Sequence, residues 1–196
     1  MNGAFAQRAQ AVSLGKTEKL SPMPTVIQDR TPELLLFEPD EKMPNNRLPV
    51  LVYRQTAQGS ELEDLFRGTF AANSWGGLWT GAIFGYDHFH SNAHEVVGVA
   101  SGEAILGLGG ASGRRLEVAE GDVVILPAGT GHRRVRGSGD FLVIGAFPVG
   151  QEIHDIYTDL TACEDYLSRV AAVPLPVADP VYGTRGPLRS HWSAQE

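Results

Sequence analysis

The sequence predicts an all-β fold, an antiparallel sandwich or barrel with a few flanking helices, and two observations carry that reading. Between residues 95 and 126, four strand-like segments follow one another (Glu95–Ala100, Glu103–Leu108, Arg115–Val118 and Asp122–Leu126), separated only by Ser101-Gly102, Gly109 to Gly113 and Glu120-Gly121. Short strands at that spacing with glycine turns build antiparallel sheets. The 23 glycines and 12 prolines among 196 residues supply the turns, and 42% hydrophobic content is too high for a disordered chain.

Taken in order, residues 1–24 carry Arg8, Lys16 and Lys19 without a sustained period, end in Pro22 and Pro24, and read as an N-terminal arm. Residues 25–196 read as one domain. Leu34-Leu-Leu-Phe37, within Thr31–Glu38, suits a short buried strand, and Pro49–Gln55 a second. From Ser60 to Ala72, Leu62, Leu65, Phe66 and Phe70 recur at helical spacing behind a Ser60/Glu63 capping box, predicting an amphipathic helix laid on the outside of a sheet. Trp79–His90 reads as one strand, in which Phe84 and Tyr86 share the phase of His88 and would line the interior. After the four central strands, Phe141–Phe147 adds another, for a total of about eight or nine. Thr161–Ala172 reads as a second helix opened by Thr161 and Glu164, with Leu160, Cys163, Tyr166, Leu167 and Val170 on one face, so that Cys163 acts as a small packed hydrophobe. Pro174 stops it, and a proline-rich tail with Pro176, Pro180 and Pro187 wraps the barrel or a partner subunit.

The chemistry concentrates between His88 and His132. Two histidines one residue apart on a strand point to the same side, so His88 and His90 form a chelating pair. A turn at Ser91-Asn92 brings Glu95 to that side as the first inward residue of the next strand and leaves His94 on the other. His132 follows the turn Pro127-Ala-Gly129-Thr-Gly. Imidazole and carboxylate suit one divalent transition metal ion, Fe, Mn, Zn, Ni or Cu, and the donor set does not choose among them. Simple alternation after His132 aims Arg134 and Arg136 inward as well, where a guanidinium would clamp a carboxylate or phosphate; a bulge after the turn would instead place Val135 inside.

These residues resemble the cupin superfamily, whose motifs are G-x5-H-x-H-x3-4-E-x6-G and G-x5-P-x-G-x2-H-x3-N. His88, His90, Glu95 and Gly102 match the first (82–102), and Gly121, Pro127, Gly129 and His132 the second (121–136); Ala82 replaces the opening glycine and Arg136 the closing asparagine. Pro44-Asn45-Asn46 and Asp179-Pro-Val-Tyr-Gly183 are similar to the text of small bacterial YjlB-like cupins. The resemblance implies a jelly-roll barrel, the double-stranded β-helix, with a metal on His88, His90, Glu95 and His132, and a homodimer. It implies a metal-dependent enzyme acting on a small oxygen-rich molecule, as a dioxygenase or as an isomerase or decarboxylase of a sugar or organic acid. Glu95 and Tyr86 would be catalytic, with Phe84 and Arg134 against the substrate. A sensing or binding module, or a structural metal holder, is the alternative. His154 and His191 lie outside the motifs and read as surface residues or supports of the ligands.

A net charge of −7 argues against nucleic acid or an anionic membrane as partner. One cysteine cannot form an internal disulfide, which suits a reducing, cytoplasmic setting. No apolar run reaches the ~20 residues that a membrane helix needs.

Overall fold

Val50–Tyr53 and Val123–Leu126 are apolar at every position, and such strands are stable only when both faces are covered. The computed structural model, which describes residues 26–163 and 165–193, shows what covers them. Its strands in chain order are β1 (Val26–Ile27), β2 (Glu33–Leu35), β3 (Val50–Tyr53), β4 (Ala57–Gln58), β5 (Trp75–Gly81), β6 (Glu95–Ser101), β7 (Glu103–Leu108), β8 (Arg114–Ala119), β9 (Val123–Leu126), β10 (His132–Gly137) and β11 (Leu142–Pro148). Helices α1 (Leu62–Ala72), α2 (Tyr166–Ala171) and α3 (Leu188–His191) flank them. A six-stranded sheet in the order β2-β3-β9-β6-β11-β5 faces a three-stranded sheet β10-β7-β8, and all pairings between these strands are antiparallel.

Between the sheets Val50, Val52, Val97, Val99, Val124 and Val143 meet Leu106, Leu108, Leu116 and Val118. On the outer face of the large sheet Leu51, Tyr53, Val96, Val123, Ile125 and Ile144 are covered by Leu62, Phe66 and Phe70 of α1 and by Val181, Leu188 and Trp192 of the tail. At about 1.5–3 kcal/mol for each fully buried large side chain, this second layer is as necessary to the sheet as the barrel interior. It also explains the apolar runs: β3 and β9 are sandwiched, whereas β8, with one solvated face, alternates Arg115, Leu116, Glu117, Val118. The fold is the all-β double-stranded β-helix that the sequence predicts. Among the described residues no helix is long and apolar enough to cross a membrane.

Several local expectations are corrected. β2 is a sheet edge, so the Leu34–Phe37 run is not a buried strand: Leu35 is buried, while Leu34 and Leu36 are exposed. α1 has the expected buried face but starts at Leu62 with Glu61 at its N-cap, and Glu63 pairs with Arg67 at 3.3 Å, so Ser60 and Glu63 form no capping box. The second helix is split into a 3₁₀ turn, Leu160–Ala162, capped by the Asp159 side chain, and α2. Glu164 and the arm lie outside the described residues. Cys163 is buried with Met43 and Phe89, as a packed hydrophobe should be.

Candidate metal centre

The largest correction concerns the segment that carries the first two histidines. β5 ends at Gly81, and His88 to His90 run as an extended connection held by single bridges. His88 exchanges both backbone hydrogen bonds with His132 (3.2 and 2.9 Å), and Phe89 exchanges both with Tyr157 (2.9 and 3.0 Å). The carbonyl of His90 accepts from the Gly129 amide at 2.7 Å. The extended backbone therefore keeps the two-residue alternation: His88 and His90 face the barrel, and Phe89 points away into the cluster with Met43 and Cys163.

His132 opens β10 and Glu95 opens β6, both at the same end of the barrel. All four side chains are buried. Each histidine uses Nδ1 on a backbone carbonyl: His88 on Tyr86 at 3.1 Å, His132 on Thr130 at 2.9 Å, and His90 on Asp155. A carbonyl only accepts, so Nδ1 carries a proton and Nε2 is the nitrogen left to meet Glu95 or, once deprotonated, a metal. One ring nitrogen of each histidine lies within 4.8 Å of the others. Oε2 of Glu95 is 3.3 Å from Nε2 of both His90 and His132. Three imidazole lone pairs and a carboxylate oxygen on one buried point fit a divalent first-row ion.

Burial pushes the His88 imidazolium down to about 3, helped by His132, so this ring is neutral and ready to coordinate. His90 is shifted up: burial opposes its charge, but the Glu95 hydrogen bond and charge outweigh it. Burial likewise opposes ionisation of Glu95, yet His132 and His90 hold its carboxyl far below the usual range.

A cavity of about 390 Å³ opens onto these donors. Its other walls are Trp79, Ile83, Phe84, Phe147 and Ile156, with His154 at one side, and among the described residues no arginine or lysine lines it.

Residues 77–144, which include all four donors, match the Cupin domain family. Beyond that core, the chain is 32% identical over 166 residues to the uncharacterized protein YjlB of Bacillus subtilis (strain 168), covering 84% of this chain and 98% of that one. It is a YjlB-like cupin. Among solved structures, acireductone dioxygenase from Bacillus anthracis, with a cadmium ion in its active centre, is 17% identical with a TM-score of 0.34 over 46% of this cupin and 61% of that chain. Vicilin from Solanum lycopersicum (tomato) is 17% identical with a TM-score of 0.37 over 70% of this cupin and 38% of that chain. This cupin thus spans less than two thirds of either.

The cupin's own geometry sorts the remaining expectations. His94 lies on the far side as alternation requires, its Nδ1 accepting from the Ala128 amide at 2.9 Å and its ring 4.8 Å from Trp192. Phe84 and Tyr86 do not line a buried interior. They are 46% and 48% exposed and stack on each other at 5.0 Å on the rim; Phe84 touches the cavity and Tyr86 does not. The expectation for the two arginines is met only in part: Arg134 keeps the phase of His132, and the register shift between Arg134 and Arg136 puts Arg136 alone out of phase. Arg134 sits opposite Leu106, Arg136 sits opposite Ile105, and neither lines the cavity.

Three supports were not read from the sequence. Nε1 of Trp79 donates to Oε1 of Glu95 at 3.2 Å, which aims the other carboxylate oxygen at the histidines. The indole occupies the face of Gly145, where an added Cβ would lie 2.0 Å from it. His90 is held through Asp155, whose carboxylate accepts from Ser91 N and Oγ at 2.6 Å each and from Arg169 Nη2 of α2 at 2.7 Å. The turn before His132 is braced by Asn45, which donates to the Gly109 carbonyl and accepts from the Gly131 amide, both at 3.1 Å. Gly129 in that turn has φ +83°, and an added Cβ would lie 2.7 Å from the Asn45 carbonyl, so only glycine fits.

A Trp79→Phe variant keeps most of the apolar wall and loses the donor to Glu95. Support of this kind is worth about 10–100-fold in metal affinity. Titration with a competing chelator is expected to show at least tenfold weaker binding with an unchanged denaturation midpoint; equal affinity would remove Trp79 from the site's support.

Proposed function

We propose that this cupin is a metal-dependent enzyme acting on a small, mainly apolar molecule with two neighbouring oxygens, its ion held by His88, His90, His132 and Glu95. The observation that carries this is the cavity: the donors form one wall of a 390 Å³ space that can admit a substrate, where a purely structural site would be closed. A bound divalent ion there supplies Lewis acidity and, if redox-active, chemistry with dioxygen.

The protein's own residues narrow the substrate. Trp79, Ile83, Phe84, Phe147 and Ile156 present apolar surface and exclude water around the reacting oxygens. Among the described residues the cavity has no arginine or lysine to pair with a dianion such as a phosphate or a dicarboxylate, and too few polar groups for a sugar. Neutral 1,2- or 1,3-dioxygenated compounds (diketones, hydroxyketones, catechols) fit, with dioxygenation or enolisation as the reaction class. Glu95, ionised and fixed by Trp79, would be the carboxylate ligand of a bound ion, and Phe84 contacts the substrate from the rim. Tyr86 has no part in it.

The test is metal content by elemental mass spectrometry on anaerobically purified protein beside His132→Ala, followed by oxygen uptake and product analysis with those three compound classes. About one ion per chain, lost in the variant, together with turnover by the loaded protein, is the expected result. Tight ligand binding without oxygen uptake or rearranged product would make it a binding module instead.

A further inference from the structure

His154 lies outside both metal motifs and is not one of the clustered donors, yet it forms part of the cavity wall. Its ring lies flat on Phe147, centroids 4.0 Å apart and planes within 16°, and edge-on to His90 at 4.8 Å. Nδ1 bonds the Glu152 carbonyl at 3.2 Å. By the logic that applies to the ligands, that nitrogen carries the proton and Nε2 carries a lone pair. No partner within the described residues takes it.

The ring cannot drift to find one. The residue before it is tied by Asn92 Nδ2 to the Ile153 carbonyl at 3.1 Å, and the residue after it by the Asp155 amide to Asn92 Oδ1 at 3.0 Å and by the Asp155 carboxylate to Ser91 and Arg169. A fixed imidazole with a free acceptor nitrogen, in a cavity otherwise apolar apart from the metal donors and Thr80, is a specificity device. His154 is half-buried, and a ligand that covers its acceptor nitrogen without matching it strips off water at a cost, so the site favours molecules bearing a hydroxyl and disfavours those lacking it.

We infer that His154 Nε2 accepts a hydrogen bond from a substrate hydroxyl adjacent to the oxygen that reaches the metal donors, so that the substrate class is hydroxyketone or catechol rather than diketone. This rests on the metal-dependent reading above. No electron or group transfer is involved, because the hydroxyl proton is shared with Nε2 and stays on the ligand oxygen.

The experiment uses the zinc-loaded full chain and two probes, 4-nitrocatechol and its mono-methyl ether 2-methoxy-4-nitrophenol, with binding followed by visible absorbance. His154→Phe keeps the stacking on Phe147 and removes the acceptor; His154→Gln restores an amide oxygen. The expected result is about tenfold weaker nitrocatechol binding in His154→Phe, partial recovery in His154→Gln, and less than twofold change for the methyl ether in either variant. Zinc affinity should be the same in all three proteins. Equal nitrocatechol affinity in wild type and His154→Phe, or parallel loss for both probes, overturns the inference while leaving the metal-dependent reading in place. Loss of zinc in His154→Phe also overturns it, since the residue would then act through His90. Failure of the wild type to bind zinc, or to bind either probe once loaded, overturns both.

Discussion

Replacing His132 by alanine should abolish tight metal binding: the loaded protein carries about one ion per chain and the variant close to none. The ring supplies one of three convergent Nε2 donors, and its partner Glu95 lies 3.3 Å away. Removing it leaves two imidazoles and a carboxylate, an effect larger than the about 10–100-fold typical of losing a supporting residue. His90→Ala should behave the same way. His94→Ala is the informative contrast, because His94 is equally buried, one residue from Glu95, and differs only in facing the Ala128 amide and Trp192. It should keep its metal and lose about 2–4 kcal/mol of stability, through the cavity beside Trp192 and the unpaired amide. Elemental analysis and denaturant unfolding separate the two behaviours. Metal lost equally from His94→Ala and His132→Ala would mean that the alternation through Ala93 and His94 is wrong.

That contrast was legible in the sequence because it depends on local rules. Donor type and two-residue alternation put His88, His90 and Glu95 on one side and His94 on the other without knowledge of the fold. Alternation failed where the backbone departs from a regular strand: the register shift near Val135 moved Arg136 out of phase with His132, and the stretch after Gly81 placed Phe84 and Tyr86 on the rim. Trp79 was in view as a strand residue, but its bond to Glu95 depends on the notch at Gly145, 66 positions away on the neighbouring strand β11. Likewise His154 and Asp155 reach the centre only because their loop is tied to Ser91 and Asn92 over more than 60 positions. Spacing within a motif reveals the donors, whereas supports that arrive by long-range pairing leave no local signal. The α1 stripe shows the converse: Leu62, Phe66 and Phe70 are buried as predicted, although the cap chosen for the same helix is wrong, since a face of 11 residues averages over errors that a single terminal residue cannot.

The second large effect is on stability and falls in the tail. Asp179 is fully buried, and its carboxylate accepts from the Tyr53 hydroxyl at 2.5 Å and from the amides of Val181, Tyr182 and Leu188 at 2.8, 3.1 and 3.1 Å. One side chain thus ties the tail to β3, in the layer where Val181, Leu188 and Trp192 cover the large sheet. Burial, then the charge and hydrogen bond of Asp179, push the Tyr53 hydroxyl far up, so it remains a donor. Asp179→Ala removes every acceptor at once and leaves four donors in an apolar layer; with about 1–3 kcal/mol for each buried unsatisfied group, partly relieved by water, a loss of about 3–5 kcal/mol is expected. Tyr53→Phe removes a single donor and should cost about 1–2 kcal/mol, because the carboxylate keeps its three amides. In the double variant the two losses should fall well short of additive, since the Tyr53 bond is already gone in Asp179→Ala. Urea unfolding of the four proteins measures this. A loss below about 1 kcal/mol in Asp179→Ala would show that the tail is held by its apolar side chains alone, and that the buried carboxylate orders the Asp179–Gly183 turn without stabilising the barrel.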